Sequence, residues 1–172
     1  MRAWVGIGSN LGDRVSACAA AAVDLGALPG TRLLRQSSLY LTEPVGIAPC
    51  EWFVNAVAEI ETDLAPEALL ESLLAIEERL GRRRDAGPAP RTLDLDILDA
   101  GGEQRADPRL TLPHPRMHLR RFQLLPLAEI APGWRHPRLG QTASELLGAL
   151  GDGARVVRIA RLEPAPGNGV RS

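Results

Sequence analysis

The chain reads as one α+β domain, and three observations predict it. Four stretches show the period-two alternation of half-buried strands, two show helical spacing of apolar residues, and they follow one another as strand, helix, strand, strand, helix, strand. At 172 residues with 45% hydrophobic content, the chain has the size and the apolar stock for a single core. Nothing in it repeats, and no linker is long enough to divide it. The domain is therefore expected over residues 1–163, followed by a disordered Pro/Gly/Asn/Ser tail at 164–172.

Trp4, Val5 and Ile7 make the first strand, which runs into Gly8-Ser9-Asn10-Leu11-Gly12-Asp13. Asp13 is a fair N-cap for a small-residue helix through Val15, Cys18, Ala19 and Ala22, with Gly26 and Pro29-Gly30 as stop signals. Gly6 and Gly8 could pass for a dinucleotide fingerprint, but Leu11 stands where its third glycine belongs, so they read as a tight strand-to-helix turn. Thr31 to Leu41 reads as a second strand. Thr42 to Pro49 reads as a loop, because Pro44, Gly46 and Pro49 forbid regular pairing.

Phe53 to Ile60 is a third strand, with Phe53, Asn55 and Val57 on one face and Val54, Ala56, Ala58 and Ile60 on the other. A ring and a carboxamide two residues apart on one face suit a flat heterocycle; they equally suit a core Phe beside an edge polar residue. Pro66 marks a first helical position, and Leu69, Leu70, Leu73, Leu74 and Leu80 repeat at helical spacing until Gly81. Farther on, a helix is expected to end at Ile130, Thr142-x-x-Glu145 is a capping box opening a short helix through Leu150, and Arg155 to Leu162 alternates as a last strand.

The fourth strand, within Arg91-Thr92-Leu93-Asp94-Leu95-Asp96-Ile97-Leu98, carries a charge pattern that strands avoid. Leu93, Leu95 and Ile97 alternate with Thr92, Asp94 and Asp96, so two like charges share a face. Residues i and i+2 lie about 6.5–7 Å apart along a strand, a spacing at which carboxylates can converge on hard divalent cations. The plainer alternative is a half-exposed strand with two solvated aspartates. Arg82-Arg83-Arg84 precedes this strand in a Gly/Pro-broken loop, and Arg109 to Phe122 follows it with four arginines and two histidines around a proline-bounded turn. Such runs are commonly solvated faces, but beside a carboxylate pair their guanidinium forks suit phosphate oxygens.

Composition excludes several classes. All twenty basic residues are Arg, so a Walker A loop, a Schiff-base enzyme and a pyridoxal-phosphate enzyme are ruled out. Cys18 and Cys50 lack metal-ligand spacing. Net charge of −1 and 3% aromatic residues argue against an RNA-binding module, and no apolar run is long enough for a membrane span. The start of the chain has no signal-peptide layout, so a cytoplasmic protein is expected.

Several separated motifs occur together in order. They are Gly8-Ser9-Asn10-Leu11-Gly12, Tyr40-x-Thr42-x-Pro44-x-Gly46, Phe53-x-Asn55, Pro90-Arg91-Thr92-Leu93-Asp94-Leu95-Asp96, Leu112-Pro113-His114-Pro115-Arg116-Met117, Arg121-Phe122, and Pro126-Leu127-x-Glu129-Ile130-Ala131-Pro132. Over about residues 3 to 132 the chain thus strongly resembles the 6-hydroxymethyl-7,8-dihydropterin pyrophosphokinase family of folate biosynthesis. The resemblance implies a ferredoxin-like α+β fold, an antiparallel sheet with helices packed on one face and substrates on the other. It implies transfer of the β,γ-diphosphate of ATP, as co-substrate, to the hydroxymethyl oxygen of the pterin, with release of AMP.

It also implies residue roles. Asp94 and Asp96 would hold two Mg²⁺ ions, and Arg82, Arg84 and Arg91 would act on the phosphates with them. Arg91, Arg109, Thr111, His114 and Arg120 would surround the nucleotide, with Leu70 and Ile97 lining the adenine site. Thr42, Pro44, Val45 and Asn55 would hold the pterin between Phe53 and Phe122. The partners would be these two small molecules, with no nucleic acid or membrane, and the enzyme would be a monomer. The chain departs from the family pattern at Gly87 and Pro88, where a basic residue and an aromatic usually stand, which removes the aromatic of the loop that closes over the pterin. On the third strand Phe53 stands where Tyr is also used, which keeps the stacking face without the hydroxyl.

Overall fold

The computed structural model describes residues 1–44, 51–81, 92–151 and 153–160. Its main sheet has six strands: β1 (Arg2–Ser9), β2 (Thr31–Gln36), β3 (Leu39–Thr42), β4 (Phe53–Thr62), β5 (Asp94–Ala100) and, numbered last because it closes the described chain, β8 (Val156–Ala160). The order across the sheet is β5-β1-β4-β3-β8, with β2 also on β4, and every pairing is antiparallel. A small hairpin of β6 (Arg105–Ala106) and β7 (Thr111–Leu112) stands apart from it. The helices are α1 (Arg14–Gly26), α2 (Pro66–Arg79), α3 (Arg121–Ile130) and α4 (Ala143–Ala149).

The helix signals act as their chemistry requires. Asp13 Oδ1 accepts from the Ser16 N–H at 3.0 Å, Pro66 opens α2, and Thr142 and Glu145 cap each other's backbone at the start of α4. The stretch expected as one strand over Thr31–Leu41 is two. Ser37 Oγ accepts from the Val57 N–H at 2.9 Å while the Ser37 N–H donates to the Val57 carbonyl, also at 2.9 Å. A hydroxyl thus replaces a backbone carbonyl in the ladder, and the strand breaks there.

The two faces of the sheet are covered differently. Ala3, Val5 and Ile7 of β1, Val54, Ala56, Ala58 and Ile60 of β4, and Leu95 and Ile97 of β5 join Cys18, Ala21, Ala22 and Leu25 of α1 and Leu69, Leu73 and Ile76 of α2 in the larger core. The opposite face is shared. Its Trp4, Val57 and Leu98 pack with Met117, Leu124, Leu127, Trp134 and Leu146 in a second core beneath α3 and α4. The ferredoxin-like antiparallel architecture therefore holds, while the expectation of helices on one face applies to α1 and α2 only. Trp4, Val57 and Leu98 form an apolar patch that needs cover, and α3 and α4 supply it.

Between these cores β5 carries an irregularity. Trp4 pairs with Asp99 whereas Val5 pairs with Ile97, so one residue is inserted opposite β1. Leu98 enters the second core, and Asp99 Oδ2 on the same side accepts from the Trp134 indole N–H at 3.0 Å. Trp4, Glu59 and Arg35 continue this row across β1, β4 and β2, where fully buried Glu59 is paired with the Arg35 guanidinium. The row fills the end of the second face that lies under α3, and among the described residues the other end stays open.

Candidate active site

The open end is built from one cross-strand row and its neighbours. Asp94 of β5 pairs with Gly8 of β1, Gly8 with Asn55 of β4, and Asn55 with Tyr40 of β3. Asp94 and Asp96 are half-exposed, while Leu93, Leu95 and Ile97 are buried, so the alternation read from the sequence places both carboxylates on the open face. The main-chain N–H of Leu95, between them, donates to Glu77 Oε1 of α2 at 2.7 Å. Glu77 was not anticipated as a site-supporting residue; its signal is a carboxylate at a core-phase position, next to Leu73 and Ile76.

Gly8 sets the floor. A Cβ there would stand 3.0 Å from Asn55 Oδ1, so any larger residue would push the amide from its place across β1. The amide is oriented from its other side, because Asn55 Nδ2 donates to Thr42 Oγ1 at 3.0 Å. Thr42 pairs with Phe53 across the strands, which puts the half-buried Phe53 ring beside the amide. With strands about 4.8 Å apart, Asn55 stands about 10 Å from Asp94 with glycine between.

The turn after β7 brings the third group. The His114 N–H donates to the Leu98 carbonyl at 2.8 Å, and buried Met117 pins the following 3₁₀ turn (Met117–Leu119) into the second core. His114 Nε2 then lies 3.9 Å from Asp96 Oδ2 and 3.5 Å from the Arg120 guanidinium. Burial, reinforced by the charges of Arg120 and Arg116, lowers His114 to about 4, so the ring is neutral at pH 7 and serves as a hydrogen-bonding group. Burial and the Arg116 charge also lower Arg120, against which Asp96 and Asp94 act as counter-charges. The same guanidinium lies over Phe122, 5.5 Å from the ring centroid.

The structure therefore brings together Asp94, Asp96, His114, Arg120 and Phe122 on one side of Gly8, and Thr42, Phe53 and Asn55 on the other. Pro44 is half-buried just beyond Thr42. Arg109 and Thr111 sit on the β6–β7 hairpin, where the Arg109 N–H donates to Asp107 Oδ1 and the Thr111 hydroxyl to the Asp107 carbonyl. Ile97, 4% exposed, and Leu70 belong to the α1/α2 side, behind the carboxylates. β5 is the edge strand of the sheet, so these two residues and the carboxylates lie on opposite faces of the same edge. Val45, Arg82, Arg84 and Arg91, with the tail at 164–172, lie outside the described residues.

Glu129 is a further residue that sequence reasoning left without a role. Burial works against its charge, but hydrogen bonds from Ser38 and Tyr40 and the Arg158 charge hold it below the ordinary carboxylate range. It ties α3 to the start of β3, the strand that delivers Thr42.

Comparison with known proteins bears on the fold and the family. The model of the family described as 7,8-dihydro-6-hydroxymethylpterin-pyrophosphokinase matches residues 4–132. A 2-amino-4-hydroxy-6-hydroxymethyldihydropteridine pyrophosphokinase from Pseudomonas aeruginosa is 48% identical over 149 residues, which cover 86% of this chain and 91% of that protein. One of the same name from Methylorubrum extorquens is 47% identical over 131 residues, covering 76% and 83%. Among solved structures, Plasmodium falciparum HPPK-DHPS with pteroate superposes with a TM-score of 0.68 at 17% identity, which speaks to the fold alone. That match covers 86% of this chain and 42% of the other, so this chain corresponds to less than half of that one. With a family match that spans most of its length and relatives this similar, the chain belongs to the 7,8-dihydro-6-hydroxymethylpterin-pyrophosphokinase family.

Proposed function

We propose that this chain transfers the β,γ-diphosphate of ATP to the hydroxymethyl group of 6-hydroxymethyl-7,8-dihydropterin, giving the pterin diphosphate and AMP, a step of folate synthesis. Family membership supports the reaction, and one observation supports its location: two half-exposed carboxylates and a buried oriented amide face the same open half of the sheet, with Gly8 between them. In this reading the polyphosphate lies along β5 and the heterocycle over β4.

Asp94 and Asp96 fit hard divalent cations, being all-oxygen donors on one face of an edge strand beside a neutral imidazole. We assign them two Mg²⁺ ions, which when bound supply neutralisation of the phosphate charge and polarisation of the β-phosphorus. The protein's own share is alignment and charge. Arg120 presents its guanidinium toward the phosphates, and His114 offers a ring nitrogen without adding charge. Arg82, Arg84 and Arg91 are assigned to the phosphates as well, and Arg109 and Thr111 to the nucleotide. Leu70 and Ile97 would receive adenine after the nucleotide turns around the edge of β5.

On the pterin side, Asn55 holds one rotamer through Thr42, leaving its carbonyl and one N–H for the heterocycle edge; Phe53 and Phe122 are assigned to flank the ring, and Pro44 and Val45 are assigned to the pterin as well. No side chain is assigned as a general base, since diphosphoryl transfer depends mostly on alignment and electrostatics. The enzyme works as a cytoplasmic monomer with one domain over residues 1–163, and its partners are ATP and the pterin. The net charge of −1 gives nucleic acid and anionic membrane no general attraction, and no described helix is long and apolar enough to cross a membrane. The test is AMP release from ATP with and without the hydroxymethyl pterin and Mg²⁺. AMP is expected only when both are present, and ATP breakdown that ignores the pterin would contradict the reading.

A further inference from the structure

The last described strand, β8, lies beyond residues 4–132, yet it reaches back to both ends of β3. It pairs Thr42 with Val156, Leu41 with Val157 and Tyr40 with Arg158, so β3, which would otherwise be an edge, has a neighbour on each side. At the start of β3, Arg158 Nε donates to Ser38 Oγ at 2.7 Å, and its terminal nitrogen lies 3.4 Å from Glu129 Oε1. The same carboxylate accepts from the Ser38 N–H at 2.8 Å, the Ser38 hydroxyl at 2.7 Å and the Tyr40 hydroxyl at 2.9 Å. Past the other end, the Glu43 N–H donates to the Arg155 carbonyl at 2.9 Å, and the Arg155 N–H to Glu43 Oε2 at 3.3 Å. The Arg155 guanidinium covers Trp52, 5.8 Å from the ring centroid, and Trp52 immediately precedes Phe53.

We infer that β8 is a positioning strand for the pterin half of the site, with Arg158 fixing the start of β3 and Arg155 fixing the Glu43 and Trp52 segments that flank Thr42 and Phe53. The inference rests on the proposed reading of that half. Neither arginine touches substrate. An edge strand with unpaired backbone groups opens locally at low free energy, and a substrate that needs Thr42 and Asn55 in one arrangement must then restore it on binding. The cost falls on the pterin and not on ATP, because β5, Asp94, Asp96 and His114 lie across the sheet from β8.

The experiment uses full-length Arg158→Ala, Arg158→Lys and Arg155→Ala. The Arg158 side chain is 55% exposed and Arg155 is exposed, so truncation leaves no core cavity. Removing one charge-assisted hydrogen bond should raise the pterin KM about tenfold in Arg158→Ala, with kcat and the ATP KM held within about twofold. Arg158→Lys should recover part of that loss. Amide hydrogen exchange of the substrate-free enzyme should speed up about tenfold across 39–43 and stay unchanged in β5. Unchanged pterin KM, equal rises for both substrates, or a lowered Tm with unaltered exchange at 39–43 would each overturn the inference. If the wild type proves inactive on the pterin, the reading of the function fails, and the exchange measurement still decides whether β8 holds β3.

Discussion

Thr42→Val tests the most local link in the proposed site, because it exchanges a hydroxyl for a methyl of nearly the same shape. Thr42 is 3% exposed and Asn55 7% exposed, and the 3.0 Å bond between them is the one that Thr42→Val removes. Leaving a buried amide donor without a partner costs about 1–3 kcal/mol. In a domain of this size that lowers Tm by roughly 2–12 °C. Insofar as the amide escapes the cost by rotating, it leaves the orientation the heterocycle needs, and the same free energy raises the pterin KM roughly 5- to 150-fold. Thermal unfolding and steady-state kinetics with each substrate varied would measure both effects. A double-mutant cycle with Asn55→Ala isolates the bond: in that background Thr42→Val should add less than about 0.5 kcal/mol. Wild-type Tm and pterin KM in the single variant, or an undiminished penalty once Asn55 is gone, would refute the assignment of Thr42 as the residue that orients this amide.

Asp96→Ala should reduce turnover by orders of magnitude while leaving pterin affinity nearly unchanged, which isothermal titration with the pterin alone can separate from the rate; near-normal turnover contradicts the metal assignment. Trp134→Phe removes the indole donor to Asp99, whose carboxyl burial already pushes up, and should cost about 1–3 kcal/mol in denaturant unfolding at pH 7, with activity largely retained. His136 is buried, its Nδ1 accepts the N–H groups of Arg138 and Leu139, and burial together with the His118 and Arg138 charges lowers it from 6.5. With the folded value below the unfolded one, its contribution is present above pH 6.5 and is lost as pH falls through and below that value. His136→Asn should therefore flatten the fall in Tm between pH 7.5 and 5.5; an identical slope would mean that this ring does not titrate in the coupled way described.

Local chemistry made much of the fold legible in the sequence. Asp13, Pro66 and the Thr142/Glu145 pair each mark a helix start through contacts within a few residues, and the alternation around Asp94 and Asp96 fixes which face they share. The features that escaped depend on distant partners. The break at Ser37–Ser38 exists because Ser37 bonds Val57 twenty residues away and Glu129 holds Ser38 from α3. The β6–β7 hairpin was not anticipated, since two-residue strands carry no period. Both helices over the second face were legible, but their placement there was not, for a similar reason: Trp4, Val57 and Leu98 sit on three different strands and become a patch only after the sheet has formed. Within the site, residue types and spacing indicated the carboxylates and the Phe53-x-Asn55 pair. Gly8 as the floor, Glu77 behind Leu95 and Glu129 behind Ser38 depend on register, which the sequence does not display.

The inserted residue in β5 has a consequence for how this strand tolerates change. Upstream of it, the phase of the strand is dictated by what Asp94 and Asp96 must face; downstream, by what Asp99 must reach. A strictly regular ribbon would tie these two demands together, so that a shift made for one would send the other set of side chains through to the wrong side. The kink separates them. Asp99 can therefore meet Trp134 while the acidic pair keeps its outlook.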